Sequence, residues 1–416
     1  MGNHRMAKKF FPDALSESAR LLDFERNRCF TQAALKFSLL NILLASFTFV
    51  SLALTFWRWI VARKFPLHQR IAENDFQPPV TLLKPLKGAD PETRRCLQSW
   101  FTQNYSGPMQ ILFGVASAKD PVCEVVRALL AEFPKIDAQL FICEKRLGAN
   151  RKISTLTQLE PHIRHDVIII SDADVEVPPD FLANVVAPLR DEKVGLVNCF
   201  YRLAHPTTLA MRWEAIATNA DFWSEVLQAK SLKKVDFALG AVMATTRAQL
   251  KLLGGFSALL DYLADDYQLG NQIFRRGGQI VFLPVVVDCR EKPMNWKKVF
   301  LHQLRWARTI RVCQPAPFFL SIISNATLWP LLWWVAEPNF ALIPFAICLL
   351  FRILSALDNQ CRLSRSTSHF IFFWLVPIKD LLNVVIWALA FLGNQIEWRG
   401  EKYKILPGGK LLKISK

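Results

Sequence analysis

The feature that most constrains this chain is an uncharged apolar run of 21 residues, from Phe37 to Trp57. As an α-helix, this run is long enough to cross a hydrocarbon core of about 30 Å. A buried core helix is the other interpretation, but core helices rarely run this long without a charge. A cleaved signal peptide fits less well, because a polar segment, residues 1–33, precedes the run. The sequence therefore predicts a transmembrane helix over residues 34–62.

A second apolar region lies near the carboxyl end, in a chain with 52% hydrophobic residues and a mean hydropathy of +0.19. It contains three apolar stretches, residues 312–336, 338–357 and 369–395. Arg352 interrupts the second stretch, and Lys379 and Asp380 interrupt the third. Charges at membrane depth occur only where protein or water surrounds them. We expect residues 314–395 to form a membrane region of two or three spans.

The formal net charge is +16, and much of the excess lies beside the apolar runs, at residues 58–70, 297–311 and 399–416. This distribution is typical of attraction to anionic lipid headgroups and of the positive-inside bias, and we favour it over a nucleic-acid partner. It predicts an integral membrane protein whose middle part and basic tail, residues 396–416, lie in the cytoplasm. Basic residues also occur among the first 28, so the orientation of the N-terminus stays open.

The nine cysteines are scattered, with no Cys-x-x-Cys pair and no histidine cluster at zinc spacing. Neither a disulfide framework nor a structural zinc site is predicted. The cysteines are interpreted as small buried residues in a reducing compartment.

Between the apolar regions, residues 78–295 alternate strand-like and helix-like patterns, as expected of an α/β domain with a largely parallel sheet. Strands are predicted at residues 80–83, 109–115, 138–142 and 167–170, and helices at residues 91–103 and 120–133. The first strand is expected to stop at Lys84-Pro85. The fourth is an unbroken run of β-branched residues, typical of a strand buried on both faces.

Carboxylates follow two of these strands. Asp120 comes after the second strand, where it can accept hydrogen bonds from a base or a ribose, and Asp172 and Asp174 follow the fourth. Open α/β sheets hold ligands at the carboxyl ends of their strands, so the three side chains are expected on one rim. Asp172 and Asp174 can bind Mg²⁺ or Mn²⁺, which prefer oxygen ligands and keep positions open for phosphate oxygens. Solvated turns also produce Asp-x-Asp often.

A further acidic pair, Asp265 and Asp266, stands at the start of a helical pattern. Acidic residues in a first turn stabilise the helix dipole by about 0.3–1 kcal/mol. The functional interpretation is a general base that takes the proton from an acceptor hydroxyl. From the local sequence alone, the capping interpretation is preferred.

Residues 296–313 form a basic amphipathic pattern, which predicts a helix at the membrane surface. Within it, Arg305 can reach a diphosphate, and Trp306 can form an apolar wall for a sugar or an acceptor.

Four motifs in a fixed order resemble the D, D, D, (Q/R)xxRW pattern of family 2 glycosyltransferases, which include ceramide glucosyltransferases and hyaluronan, chitin and cellulose synthases. They are Asp120, Asp172 with Asp174, Asp266, and Gln303-Leu304-Arg305-Trp306. Stretches that look like ceramide glucosyltransferase are LLKPLKGADPE at 82–92, LGANRKIS at 147–154, FALG at 237–240 and LADDY at 263–267. The resemblance covers residues 78–312 and implies a GT-A, Rossmann-like nucleotide-sugar domain with flanking transmembrane helices.

Carried over position by position, the resemblance implies that Asp266 is the catalytic base, which reverses the local preference for capping. Asp120 would contact the uridine. Asp172 and Asp174 would hold the metal and the diphosphate.

The resemblance also assigns polar and basic residues to the donor site. Gln303, Arg305 and Trp306 would close it. Three lysines match basic positions that the family places near the nucleotide: Lys84, Lys87 and Lys152. Plain surface lysines would fit the same positions equally well.

The implied enzyme is a hexosyltransferase that moves a sugar, glucose foremost, from a UDP-sugar donor to a lipid hydroxyl, as in ceramide glucosyltransferase. One carboxylate is placed as base and no second one is suited to act as nucleophile. A single displacement that inverts the anomeric centre is therefore expected.

Three other functions stay open. Asn198 with the following CFYR, LADDYQLG and HQLRWARTIR look like the bacterial hopanoid-associated branch HpnI, which implies N-acetylglucosamine transfer to bacteriohopanetetrol at a bacterial inner membrane. A processive β-glycan synthase is less favoured, because no separate bundle suits a polysaccharide channel. A transporter or scaffold with a vestigial nucleotide domain would leave the ordered motifs unexplained.

Overall fold

A computed structural model describes residues 39–72, 75–398 and 401–414. The predicted polar segment 1–33 lies outside the described residues. Eight strands form one mixed sheet in the order β3-β2-β1-β4-β7-β6-β8-β5. Their bounds are β1 Val80–Leu86, β2 Met109–Val115, β3 Asp137–Ile142, β4 Val167–Ser171, β5 Val175–Glu176, β6 Val194–Leu203, β7 Val242–Thr246 and β8 Gln279–Cys289. A second, antiparallel sheet contains β9 Gln395–Trp398, β10 Glu401–Ile405 and β11 Leu411–Lys413.

Helices pack on both faces of the large sheet, and further helices precede and follow its strands in the sequence. They are α1 Leu39–Lys64, α2 Thr93–Phe101, α3 Val122–Glu132, α4 Arg151–Leu159, α5 Phe181–Val186, α6 Leu209–Ile216, α7 Trp223–Leu232, α8 Arg247–Leu253, α9 Asp265–Arg275, α10 Trp296–Cys313, α11 Pro315–Leu320, α12 Leu328–Ala336, α13 Pro338–Ser364 and α14 Leu375–Phe391. A π-helical segment, Ala217–Phe222, joins α6 to α7. Short 3-10 turns lie at Glu160–His162, Ala187–Arg190, Phe256–Leu259, Ser321–Ser324, Phe370–Phe372 and Pro407–Gly409.

Strand β4 lies near the middle of the sheet, as its β-branched sequence predicts. It runs parallel to β1 on one side and antiparallel to β7 on the other. Its side chains alternate between two hydrophobic cores, with Ile169 in one and Ile168 and Ile170 in the other, and all three are almost fully buried. The predicted fold class, an α/β domain with flanking apolar helices, is confirmed in its architecture.

Strand β1 continues to Leu86, beyond the predicted stop at Lys84-Pro85. Strand β4 pairs with β1 only as far as Leu83, so a proline at position 85 removes no hydrogen bond to β4. Strand β2 still flanks this part of β1 on the other side. A proline is tolerated in a strand where one side lacks a partner.

Two helices are long and apolar enough to span a membrane, α1 and α13. A third candidate is the pair Pro315–Ser324 and Leu328–Ala336, whose two parts are bent by 48°. Helix α14 is shorter, with 17 residues. These counts refer to the described residues and rest on length and composition.

The charges that interrupt the apolar stretches are buried against one another. The guanidinium of Arg352 lies 2.8 Å from carboxylate oxygens of both Asp221 and Asp380. The ammonium of Lys379 contacts Asp221 and lies 3.1 Å from Asp380. Each of these residues is at most 4% exposed. The network joins α13 and α14 to the π-helical segment, so protein rather than lipid surrounds the charges.

Arg352→Met is expected to lower the free energy of unfolding by about 3 kcal/mol, because it leaves buried carboxylates without their main cation. Denaturant titration of the purified protein in detergent would measure the loss. Arg63→Met is the matched control, since Arg63 forms a more exposed 3.9 Å pair with Asp358. The control is expected to change stability by about 0.5 kcal/mol or less. Equal losses in the two variants would contradict a stabilising role for the buried network.

Candidate active site

The Asp172–Asp174 turn leaves β4 at the carboxyl end of the sheet and is fixed by backbone hydrogen bonds. The N–H of Asp172 donates to the carbonyl of Ala241 over 3.1 Å, and the N–H of Arg290 donates to the carbonyl of Asp174 over 2.9 Å. Strands β7 and β8 thus hold the turn from both sides. Both carboxylates are half-exposed, so they are accessible to a ligand.

Lys84 supports this turn from inside the domain. Its ammonium donates to the carbonyl of Asp172 and lies 3.2 Å from the hydroxyl of Ser171 and 5.3 Å from the ring centre of Trp100. Lys84 is fully buried, and this burial lowers its pKa to about 8. A nucleotide contact needs an accessible ammonium, so the structure places Lys84 behind the turn rather than at the predicted donor surface.

Lys152 connects the turn to the acidic pair on α9. Its ammonium lies 2.8 Å from Oδ1 of Asp172 and 3.0 Å from Oδ2 of Asp265. Asn150 caps α4 by accepting from the N–H of Ile153, and its amide donates to Asp265 over 3.2 Å. Burial alone would lower the pKa of Lys152, but the attraction of Asp172 and Asp265 raises it overall. Lys152 is therefore a buried cation shared by two segments of the site.

Asp266 begins α9 beside this cation. It is half-buried, and its Oδ1 accepts the N–H of Tyr267 over 2.8 Å. Burial and the neighbouring charge of Asp265 raise the pKa of Asp266 to about 6, although Lys152 opposes the shift. A carboxylate with a pKa near neutrality suits general base catalysis.

Gly240, the last residue of the FALG segment, lies against the side chain of Asp266. A Cβ atom at this position would lie 2.8 Å from Oδ2 of Asp266, which is too close for an unstrained contact. A larger residue at position 240 would therefore push the Asp266 carboxylate out of its place.

Asp120 lies in the loop after β2, at the same rim of the sheet as the Asp172–Asp174 turn. Its side chain accepts the N–H of Gly88 over 2.9 Å and the N–H of Val122 over 3.0 Å. Gly88 has φ of 75°, a conformation that favours glycine. Asp120 thus joins the loop after β1 to the start of α3. Lys87 is exposed in that loop.

The basic helix α10 carries the residues predicted to close the donor site. Gln303 is buried and donates to Oε1 of Glu214 over 2.8 Å. The ring of Trp306 lies 4.8 Å from the ring of His302 and 6.2 Å from that of Phe222. Only Leu304 separates Gln303 from Arg305, so the residue three positions before Arg305 is His302. Nδ1 of His302 lies 2.7 Å from Oε1 of Glu214.

Glu291 is a further candidate site residue, which the sequence motifs do not include. Burial raises its pKa to about 7; His302 and Arg305 lower it, whereas Asp174 and Glu214 raise it further. The charges of Asp174 and Arg305 thus both act on the carboxyl group of Glu291. Glu291 comes two residues after β8, and β8 runs parallel to β6 and in the same direction as β4. The sequence feature that could have indicated Glu291 is its position just after the end of a strand.

The sequence model described as glycosyl transferase family 21 matches residues 43–411. The chain belongs to that family. Ceramide glucosyltransferase 3 of Caenorhabditis elegans is 23% identical over 374 residues, which are 84% of this chain and 77% of the relative. Ceramide glucosyltransferase of Candida albicans is 33% identical over 174 residues, 37% of this chain and 32% of the relative. A mannosyltransferase from Pyrobaculum calidifontis, solved with GDP-Man and Mn²⁺, gives a TM-score of 0.48 at 21% identity, covering 84% of this chain and 99% of that one.

Membership of family 21 establishes the protein as a hexosyltransferase, as predicted from its ordered motifs. It also agrees with the GT-A class predicted for the α/β domain. The individual roles of the site residues remain predictions.

The predicted basic tail of this family 21 enzyme is folded onto the catalytic domain. The N–H of Leu263 donates to the carbonyl of Gly409 over 3.0 Å, and that of Leu411 donates to the carbonyl of Asp261 over 2.6 Å. In β10, Glu401 accepts from Arg151 over 2.6 Å and from Arg146 over 3.1 Å. The tail therefore fastens the loop before Asp265 and the loop before α4.

Gly240→Ala is expected to reduce turnover at least tenfold with little change in donor affinity, because the new methyl group would displace Asp266. Steady-state kinetics and donor-binding calorimetry would separate the two effects. Gly278→Ala is the control, since its Cβ would lie 2.7 Å from a methyl group of Ile273. Ile273 lies on α9, far along the helix from Asp266. Equal kinetic losses in the two variants would contradict a specific effect on Asp266.

Glu401→Gln is expected to weaken docking of the tail by about 1–2 kcal/mol, because it removes charge-assisted hydrogen bonds. Limited proteolysis should then cleave the tail faster, and turnover should fall. Glu397→Gln on exposed β9 is the control and should leave both properties unchanged. A tail that resists proteolysis in Glu401→Gln would show that these bonds do not hold it.

Proposed function

We propose that this enzyme transfers a single sugar, glucose foremost, from a UDP-sugar to a lipid hydroxyl, with ceramide as the acceptor, and inverts the anomeric centre. Asp266 carries the proposal. It is a half-buried carboxylate with a pKa of about 6, next to the Lys152 cation that also binds Asp172. A base is thus placed beside the turn where the diphosphate is expected.

In the proposed reaction, Asp266 accepts the proton of the lipid hydroxyl while the hydroxyl oxygen attacks the anomeric carbon. The new bond joins that oxygen to the sugar, and the bond between the sugar and the diphosphate breaks. UDP leaves with the electron pair. Attack opposite the leaving group converts an α-linked donor into a β-glycoside.

The Asp172–Asp174 turn fits a divalent metal ion by its chemistry, since it presents two half-exposed carboxylates at the end of a strand. Mg²⁺ or Mn²⁺, when bound, would neutralise charge on the leaving diphosphate. Asp172 shares one oxygen with Lys152 and keeps its second oxygen for an ion. Arg305 approaches from α10, where its charge acts on Glu291 together with that of Asp174.

Helix α10 supports a lipid as the acceptor. Val299 is fully buried on one side and packs in a cluster with Trp213 of α6 and Ile386 of α14. Other large apolar side chains of α10 are exposed: Trp296, Leu301 and Ile310. An amphipathic basic helix with exposed apolar residues suits the interface of a bilayer. We place the catalytic domain on the cytoplasmic side of the membrane, where the basic flanks favour it.

Asn198, one of the residues that resemble the hopanoid-associated branch, lies inside the domain. Asn198 is fully buried; its amide donates to the carbonyl of Val281 and its side-chain oxygen accepts the N–H of Leu239, both over 3.1 Å. It therefore joins β6 to β8 and to the FALG segment inside the domain. We infer that its side chain supports this packing rather than contacting a lipid.

Asp266→Asn is expected to abolish transfer, at least a thousandfold in turnover, while UDP-sugar binding survives. In the unsubstituted enzyme, kcat/KM should rise with pH through about 6 and then level off, because the base must lose its proton to act. Asp261→Asn is the control, since that carboxylate is exposed and accepts the backbone N–H of Ala149 near α4. Normal turnover in Asp266→Asn would rule out this base.

Purified enzyme with UDP-glucose and ceramide should yield a lipid heavier by one hexose, detected by mass spectrometry. Parallel reactions with UDP-N-acetylglucosamine and a hopanoid polyol test the alternative acceptor. Chains longer than one sugar would favour a processive synthase. No product from ceramide, with product from the hopanoid, would overturn the proposed acceptor.

A further inference from the structure

Three side chains converge near the Asp172–Asp174 turn, and two of them, Glu214 and Glu291, lie outside the ordered motifs. Glu214 comes from α6, Glu291 from the loop after β8, and His302 from α10. One possible ligand atom of each lies within 4.8 Å of the other two. Ligands that bind one ion at about 2.0–2.2 Å are separated from each other by roughly 3–4 Å. The spacing of the three groups is thus close to that of a metal site.

Glu214 has an incomplete set of partners for a buried carboxylate. It is 1% exposed, and its Oε1 contacts both Nδ1 of His302 and Nε2 of Gln303. Its Oε2 is buried and accepts no hydrogen bond from any residue that the structure describes. A buried carboxylate oxygen without a partner is energetically unfavourable unless a cation or a proton neutralises it.

The same carboxylate lines a small cavity together with Glu291. The remaining walls are formed mostly by apolar side chains, with one thiol: Leu203, Ala204, Pro206, Met211 and Cys289. Two carboxylates that face one enclosed space repel each other more strongly than they would in water. An ion held between them would remove that repulsion and would satisfy Oε2 of Glu214.

We propose that Glu214, Glu291 and His302 bind one divalent transition-metal ion of the Zn²⁺ or Mn²⁺ class, at a site separate from the Asp172–Asp174 turn. An imidazole ligand favours these ions over Mg²⁺, which prefers oxygen ligands alone. The ion would join α6, the loop after β8 and α10. Because Arg305 and Trp306 follow His302 on α10, the ion would fix their position over the donor site.

The test uses the full-length protein in detergent, without a histidine tag, stripped of metal and then titrated with Co²⁺ in excess Mg²⁺. The Mg²⁺ occupies oxygen-only sites, and Co²⁺ reports a nitrogen ligand through its visible absorption. We expect one Co²⁺ per chain, with affinity lowered at least tenfold in His302→Gln and Glu214→Gln. Asp174→Asn should retain the Co²⁺ site. An absence of bound Co²⁺, binding unchanged in His302→Gln, or loss of binding in Asp174→Asn would each overturn the proposal.

A second measurement separates metal binding from a folding defect. Zn²⁺ should raise the thermal unfolding midpoint of the stripped, donor-free protein by mass action. The same addition should leave the midpoint of His302→Gln unchanged, although glutamine can still hydrogen-bond to Glu214. An equal shift in both proteins would show that Zn²⁺ binds elsewhere. Neither measurement depends on sugar transfer, so the result stands apart from the proposed function.

Discussion

The active site depends on one buried cation, the ammonium of Lys152. It lies between Asp172, which follows β4, and Asp265, which begins α9, and its field also acts on Asp266. Carboxylates from segments more than 90 residues apart in sequence would repel one another at this spacing in a poorly solvated site. Lys152 compensates that repulsion, and the cap of α4 by Asn150 fixes its position. Lys152 therefore fixes the Asp172–Asp174 turn, where the metal is proposed to bind, relative to Asp266, the proposed base.

The candidate membrane helices and the α/β domain are joined by a second set of buried charges. Asp221 lies in the π-helical segment that continues from α6, and it contacts Arg352 of α13 and Lys379 of α14. Helix α6 carries Glu214, which holds His302 and Gln303 of α10. A chain of packed elements thus runs from the spans to the residues that are proposed to close the donor site.

The sequence predicted the elements whose signal is local. The β-branched run of β4 and the acidic turn after it could be found because burial on both faces and a strand end leave a direct pattern. The charges within the apolar stretches also indicated protein contacts at membrane depth. The residues that sequence reasoning misplaced or missed depend on pairing across the fold. Lys84 is buried behind the turn because β1 lies beside β4, and Glu291 reaches the rim because β8 runs in the same direction as β4.

The contacts of the tail also depend on pairing between segments that are distant in sequence. Its basic composition suggested attraction to lipid headgroups, yet Glu401 anchors a three-stranded sheet to Arg146 and Arg151 on the domain. An acidic residue within a basic segment was the available signal, but its partners lie 250 or more positions away.

A structure of the enzyme with an intact UDP-sugar and Mn²⁺ would test the account most directly. We expect the diphosphate to lie between the Asp172–Asp174 turn and Arg305, with the anomeric carbon facing Asp266. A donor bound elsewhere, for example in the polar cavity that Arg275 and Arg276 line between α9 and the tail, would contradict it.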